Sequence, residues 1–168
     1  QLDEAQKWLD ELQQLAPGAL ATAELSARLA LAKKNYDEIL PTLSTYLETD
    51  LPNVPRTDRV YQVVRLLEIL AAEAQGNAAI APKLEAETFK RFEELVEQRP
   101  EVALDFARFA ARAGELDRAL DLCEQALDTA PRTQVAAAAL GMVRSMQGSD
   151  QQRRRVEGWL EGNASQEP

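Results

Sequence analysis

Apolar residues recur at three- and four-residue steps through most of the chain, as in Leu9, Leu12 and Leu15 or in Leu116, Leu120, Cys123 and Leu127. That period lays one apolar stripe along each segment and predicts amphipathic α-helices. The pattern is interrupted at Pro17 with Gly18, at Asn35, along the run from Leu51 to Pro55, at Gly76 with Asn77, and at Pro82, Pro100, Gly114, Pro131 and Gly148 with Ser149. About nine helices of about 13 to 19 residues follow from this punctuation. Their connections are mostly short, so sequential neighbours are expected to pack as antiparallel hairpins.

Local features refine this reading. Pro41 falls inside the helix that Asn35 or Tyr36 opens, where a missing N–H predicts a bend. Residues 56–99 read as an irregular long hairpin, with Asn77 to Pro82 as its connection. Pro131 is expected to end the helix before it. Ser149 and Asp150 offer an N-cap to a last helix carrying Val156, Trp159 and Leu160. Gly162 to Pro168 reads as a frayed polar tail.

A longer regularity lies above the helical one. Ala5, Leu12 and Pro17 share one spacing with Thr88, Leu95 and Pro100 and with Ala119, Ala126 and Pro131. Repetition at this scale predicts an α-solenoid of stacked hairpins, because one hairpin cannot bury its apolar face alone. The stretch from Pro100 to Pro131 resembles a complete tetratricopeptide repeat: Ala103, Phe106, Ala107 and Ala110 are small versions of its first-helix pattern, Gly114 makes its turn, and Ala119, Cys123, Ala126 and Pro131 follow its second-helix pattern. Leu20 to Leu51 resembles another repeat, with Ala23, Ala27, Ala30, Ile39 and Tyr46 in register.

The resemblance divides the chain into a second helix of a truncated repeat (1–17), a repeat (20–53), the irregular hairpin (56–99), the best-matched repeat (100–133), a terminal repeat (134–162) and the tail (163–168). All belong to one repeat domain, expected to be a fragment of a larger repeat protein of bacterial type. In the family, first helices line a concave groove that holds peptides or helices of partner proteins. The corresponding stripe is Glu24, Arg28, Leu66, Leu70, Leu104, Arg108, Arg112, Met142 and Met146, and it lacks the Lys and Asn set that clamps an acidic chain terminus. The expected partner contacts are Arg28, Leu104, Arg108, Arg112, Met142 and Met146. Arg108 and Arg112 project from one face and suit a carboxylate.

Composition then narrows the function classes. Asp and Glu number 28 against 19 Lys and Arg, a net charge of −9. That sign disfavours nucleic acid and anionic membrane surfaces. No apolar run reaches spanning length, so a soluble chain is expected, cytoplasmic rather than exported. The chain has no histidine, which removes Ser-His-Asp and Cys-His catalysis and the usual zinc-hydrolase ligand sets. Cys123, the single cysteine, takes a core slot of the repeat and reads as a small buried hydrophobe. The seven glycines are scattered at turns and ends, with no phosphate loop. The carboxylate pairs Glu93 with Glu94 and Asp117 with Asp121, and the run Arg153 to Arg155, read as solvated helix faces. Trp8 and Trp159 each precede a leucine and an acid in a closing helix, and both are expected to pack against a neighbouring hairpin.

No catalytic residue, metal site or cofactor is therefore expected. The chain reads as a scaffold or adaptor that binds a protein or peptide, with self-association end to end through the first helix also expected. A spacer, or an accessory domain of an enzyme whose catalytic part lies elsewhere, is the alternative.

Overall fold

The computed structural model describes residues 1–161, with side chains described through Trp159. The expected tail lies outside the described residues. Those residues are all-α and 78% helical. Among them are nine α-helices and no strand: α1 (Leu2–Leu15), α2 (Leu20–Ala32), α3 (Ile39–Glu48), α4 (Arg56–Glu73), α5 (Ala81–Gln98), α6 (Ala103–Arg112), α7 (Leu116–Ala126), α8 (Arg132–Ser145) and α9 (Asp150–Glu161). Short 3-10 turns at Tyr36–Glu38 and Pro100–Val102 lead into α3 and α6. Two compact units result, one from Gln1 to Phe92 and the other from Glu93 onward, with the division falling inside α5.

In the first unit α2 packs against α1, α3 and α4, and α3 packs against α4. In the second, α6 lies on α7 and on α8, α7 touches α8, and α8 pairs with α9. The buried side of α2 is Ala23, Ala27 and Ala30, that of α6 is Ala103, Ala107 and Ala110, and that of α7 is Ala119, Cys123 and Ala126. Such small side chains let helix axes approach closely. Larger residues fill the remaining space, and each fully buried leucine such as Leu67 or Leu120 contributes about 1.5–3 kcal/mol.

Three hairpins close in the same way. Lys34, Gly114 and Gln147 adopt positive φ (62°, 92° and 54°). In each case the following N–H reaches back to a carbonyl of the departing helix: Asn35 to Ala30 at 2.9 Å, Glu115 to Ala110 at 2.9 Å and Gly148 to Val143 at 2.7 Å. This is the Schellman closure, which satisfies carbonyls that the helix end leaves free. Only Gly114 supplies a glycine at the left-handed position. Gly148 serves a different need, because a Cβ there would stand 2.8 Å from Val143 Cγ1 and 3.0 Å from Leu116 Cδ2.

The prolines act differently from expectation. Pro41 causes no mid-helix bend: the chain enters as a 3-10 turn, the α-helix begins at Ile39, and Pro41 lies in its first turn, where an N–H has no acceptor to lose. Pro131 does not end a helix either. The helix before it stops at Ala126, and Pro131 is the N-cap of α8 with φ −56°. These 3-10 entries also shorten α3 and α6 to 10 residues each, below the expected lengths.

Polar ties hold the helix ends. The Arg59 guanidinium donates to the carbonyls of Leu47 (2.9 Å), Tyr46 (3.4 Å) and Thr49, neutralising the negative end of α3. Ser149 and Gln152 form a reciprocal capping box at α9: the Ser149 N–H donates to Gln152 Oε1 (2.8 Å) and the Gln152 N–H to Ser149 Oγ (3.3 Å).

The two kinds of glycine predict opposite responses to alanine. Gly148→Ala is expected to destabilise the fold by about 1–3 kcal/mol through overpacking. At Gly141, within α8, an added methyl group would meet no atom within 4 Å, and Gly141→Ala is expected to stabilise by about 0.5–1 kcal/mol. Urea unfolding midpoints of the two variants check this, and the same sign for both would contradict it.

Candidate functional site

Counted from their left-handed residues, the three closures share a common register. Ala23, Ala103 and Ala136 coincide, as do Ala30, Ala110 and Val143 among the buried positions. Leu43, Cys123 and Val156 also coincide, all buried. Arg28 and Arg108 then occupy the same outward position, matched by Gly141 in the third closure.

The structure brings Arg108 and Arg112 together on the exposed side of α6, opposite buried Ala103, Ala107 and Ala110. Arg108 pairs with Asp105 at 3.1 Å, one turn earlier. Both groups are well exposed, so the pair is worth at most about 1 kcal/mol, and an incoming carboxylate can compete for the guanidinium.

Arg28 is more deeply committed. It pairs with Glu24 at 3.0 Å and with Glu73 of α4 at 3.4 Å, and its buried Nε has no hydrogen-bond partner. It braces α2 against α4 and offers less to a ligand.

The apolar members of the expected stripe do not form an open surface. Leu104 and Met142 are 5% and 8% exposed, and Leu66 and Leu70 are buried too. The cause is direct packing of one first helix on the next, α2 on α4 and α6 on α8, which covers positions that a single helix would present to solvent. Met146 is half-buried at the C-cap of α8.

Other sequence candidates turn out to be fastenings. Arg155 of α9 reaches Asp121 at 2.6 Å and Glu124 at 2.9 Å on α7, and Trp159 Nε1 donates to Glu124 at 3.2 Å. The Arg155 hydrogen bond holds the Glu124 carboxyl below its ordinary range, and the Arg155 pKa rises in turn. Asp117 accepts from the Gln152 amide at 2.6 Å, and Glu93 pairs with Arg118. Arg153 bonds Asp150 at 3.5 Å. These carboxylates and guanidiniums are engaged in helix-to-helix ties or local pairs.

The two tryptophans are not equivalent. Trp159 is half-buried against α7, whereas Trp8 is 59% exposed on α1, a helix that also carries exposed Leu2 and Leu15. Among the described residues no three or more metal-ligating side chains cluster, and no helix is long and apolar enough to cross a membrane.

Sequence reading misses the hydroxyl-bearing faces of α2 and α3 and the stacking of Arg118 over Phe106. Threonines at four-residue steps, Thr45 and Thr49, are the available signal. No family model, curated protein or solved structure matches this chain.

Cys123 has no exposed surface, and burial pushes its thiol up to about 11 from an ordinary value of 9.0, against smaller opposing effects of Arg108 and Arg155. Because the folded-state value is raised, the thiol's contribution to stability is full below about pH 9 and is lost as the pH rises through about 11. Cys123→Val, which installs the residue found at the matching place in α9, is expected to fold normally and to flatten that alkaline loss. Unfolding midpoints between about pH 8 and about pH 11 test it, and an unchanged slope would contradict the assignment.

Proposed function

We propose that this chain is a protein-binding scaffold segment of tetratricopeptide type, in which α6 presents Arg108 and Arg112 to an acidic partner. The carrying observation is the repeated closure. One helix-turn-helix plan recurs at Lys34, Gly114 and Gln147, and first helices pack on first helices within each unit, an arrangement that supports a stacked solenoid. A row of first helices is a platform for an extended peptide or a helix. On it, Arg108 and Arg112 form an exposed cationic pair in a protein of net charge −9, and a guanidinium fork matches a carboxylate bidentately. The proposal carries no catalysis and no cofactor.

The test is titration with a fluorescent helical peptide bearing Glu at i and i+4. Arg108→Glu with Arg112→Glu is expected to weaken binding by about tenfold or more, equivalent to about 1.4 kcal/mol, with circular dichroism unchanged. Asp105→Asn, which releases Arg108, is expected to tighten it. Equal affinity for all three proteins rejects the α6 site.

A second reading, self-assembly, is favoured by the exposed large apolar side chains Leu2, Trp8 and Leu15 on α1, which a partner surface would cover. Sedimentation velocity over a wide concentration range is expected to show a reversible larger species that Trp8→Glu abolishes. A single monomeric species at every concentration contradicts it.

A further inference from the structure

In the first unit α1, α2 and α3 enclose a notch of about 400 Å³, walled by Ser26, Thr22, Thr42, Thr45 and Thr49 with Gln13 at one side. It lies among elements other than α6 and is independent of the acidic-partner site. The threonine hydroxyl protons are already used: Thr22 donates to the Ala16 carbonyl (2.7 Å), Thr42 to Glu38 (2.7 Å), Thr45 to Pro41 (3.0 Å) and Thr49 to Thr45 (2.8 Å). Each oxygen keeps acceptor capacity. The threonine side of the wall is therefore a mixture of methyl groups and hydrogen-bond acceptors, and Ser26 and Gln13 add a hydroxyl and an amide.

The same notch is built a second time. In the common register Ser26, Thr42 and Thr45 coincide with Phe106, Leu122 and Gln125, and these three line a pocket of about 320 Å³ in the second unit. There the chain supplies its own aromatic group. Phe106 is 2% exposed, and the Arg118 guanidinium lies 5.2 Å from its ring centroid, held by Glu115 at 3.1 Å and by Glu93. In the first unit the ring is replaced by Ser26 and the guanidinium by exposed Glu38, and the notch is larger.

We infer that the notch between α1, α2 and α3 receives a tyrosine side chain of a partner polypeptide, with a basic residue beside it. The incoming ring takes the place that Phe106 fills in the second unit. Its phenol O–H donates to the Thr42 or Thr45 Oγ1, oxygens whose own protons are already engaged. The neighbouring cation faces Glu38, restoring from outside the pairing of ring and guanidinium that Phe106 and Arg118 make from within, with a carboxylate now on the protein's side.

The experiment titrates the full chain with a nonapeptide carrying a central Tyr-Arg pair among glycines and serines, read by calorimetry and by amide shifts in nitrogen-edited NMR spectra. Saturable binding with shifts centred on Ser26, Thr42 and Thr45 is expected. A Phe-Arg peptide is expected to bind several-fold more weakly and an Ala-Arg peptide about tenfold or more weakly. Ser26→Phe, which fills the notch as Phe106 does, is expected to abolish binding. Thr42→Val with Thr45→Val keeps the shape, removes two acceptors and is expected to erase the preference for Tyr over Phe, which keeps the proposal testable if Ser26→Phe folds poorly. Arg108→Glu with Arg112→Glu is expected to leave this binding unchanged. Equal binding of the Tyr-Arg and Ala-Arg peptides, shifts confined to other residues, no shift at millimolar peptide, or a preference for Tyr that survives loss of both hydroxyls would overturn it.

Discussion

Close approach of helix pairs through small side chains is the constraint on which the rest depends. Ala103, Ala107 and Ala110 on α6 and Ala119, Cys123 and Ala126 on α7 are nearly or wholly buried, so the space between the helices is thin and sensitive to volume. Alanine also has the highest helix propensity, and one choice of residue serves both local structure and packing. The seam fixes which side of each helix faces inward, and thereby which side is left for anything else. Arg108 and Arg112 are outward because the alanines are inward.

Closure of the hairpins depends on the same thinness. A Schellman turn places the incoming helix beside the departing one within very few residues, and at Gly148 the approach is tight enough that a single methyl group would collide with Val143 and Leu116. Electrostatics then fastens what packing has aligned. Arg155 with Asp121 and Glu124 secures α9 to α7, and Arg28 with Glu24 and Glu73 braces α2 against α4. Arg28 and Arg108 share one register position yet differ in use, since only Arg28 has a neighbouring helix that places a second carboxylate within reach. Repetition of a scaffold thus leaves individual positions free to diverge, and the two notches diverge further, one lined by a phenyl ring and the other by hydroxyl groups.

Much of the fold is legible in the sequence because its signals are local. The three- and four-residue apolar period, the turn at Gly114, the cap at Ser149 and the burial of Cys123 each follow from a few neighbouring residues and elementary helix geometry. The exposed pair Arg108 and Arg112 is legible for the same reason, since residues four apart on a helix share a face. The prolines mislead because a missing N–H does not itself reveal whether the residue stands inside a helix or at its start: Pro41 lies in the first turn of α3 and Pro131 caps α8.

By itself the sequence determined an all-α chain, its approximate helix boundaries and the inward face of each helix, since periodicity and capping act over a turn or two. Only the tertiary structure decided which outward positions stay open. Leu104 and Met142 belong to the same expected stripe as Arg108, yet they are covered when one first helix packs on the next. Trp8 and Trp159 stand in similar local sequence but differ in exposure, because the flank of α9 that carries Trp159 meets α7, whereas Trp8 lies on an exposed flank of α1. Accessibility is set by residues far apart in the chain, and no local pattern encodes it.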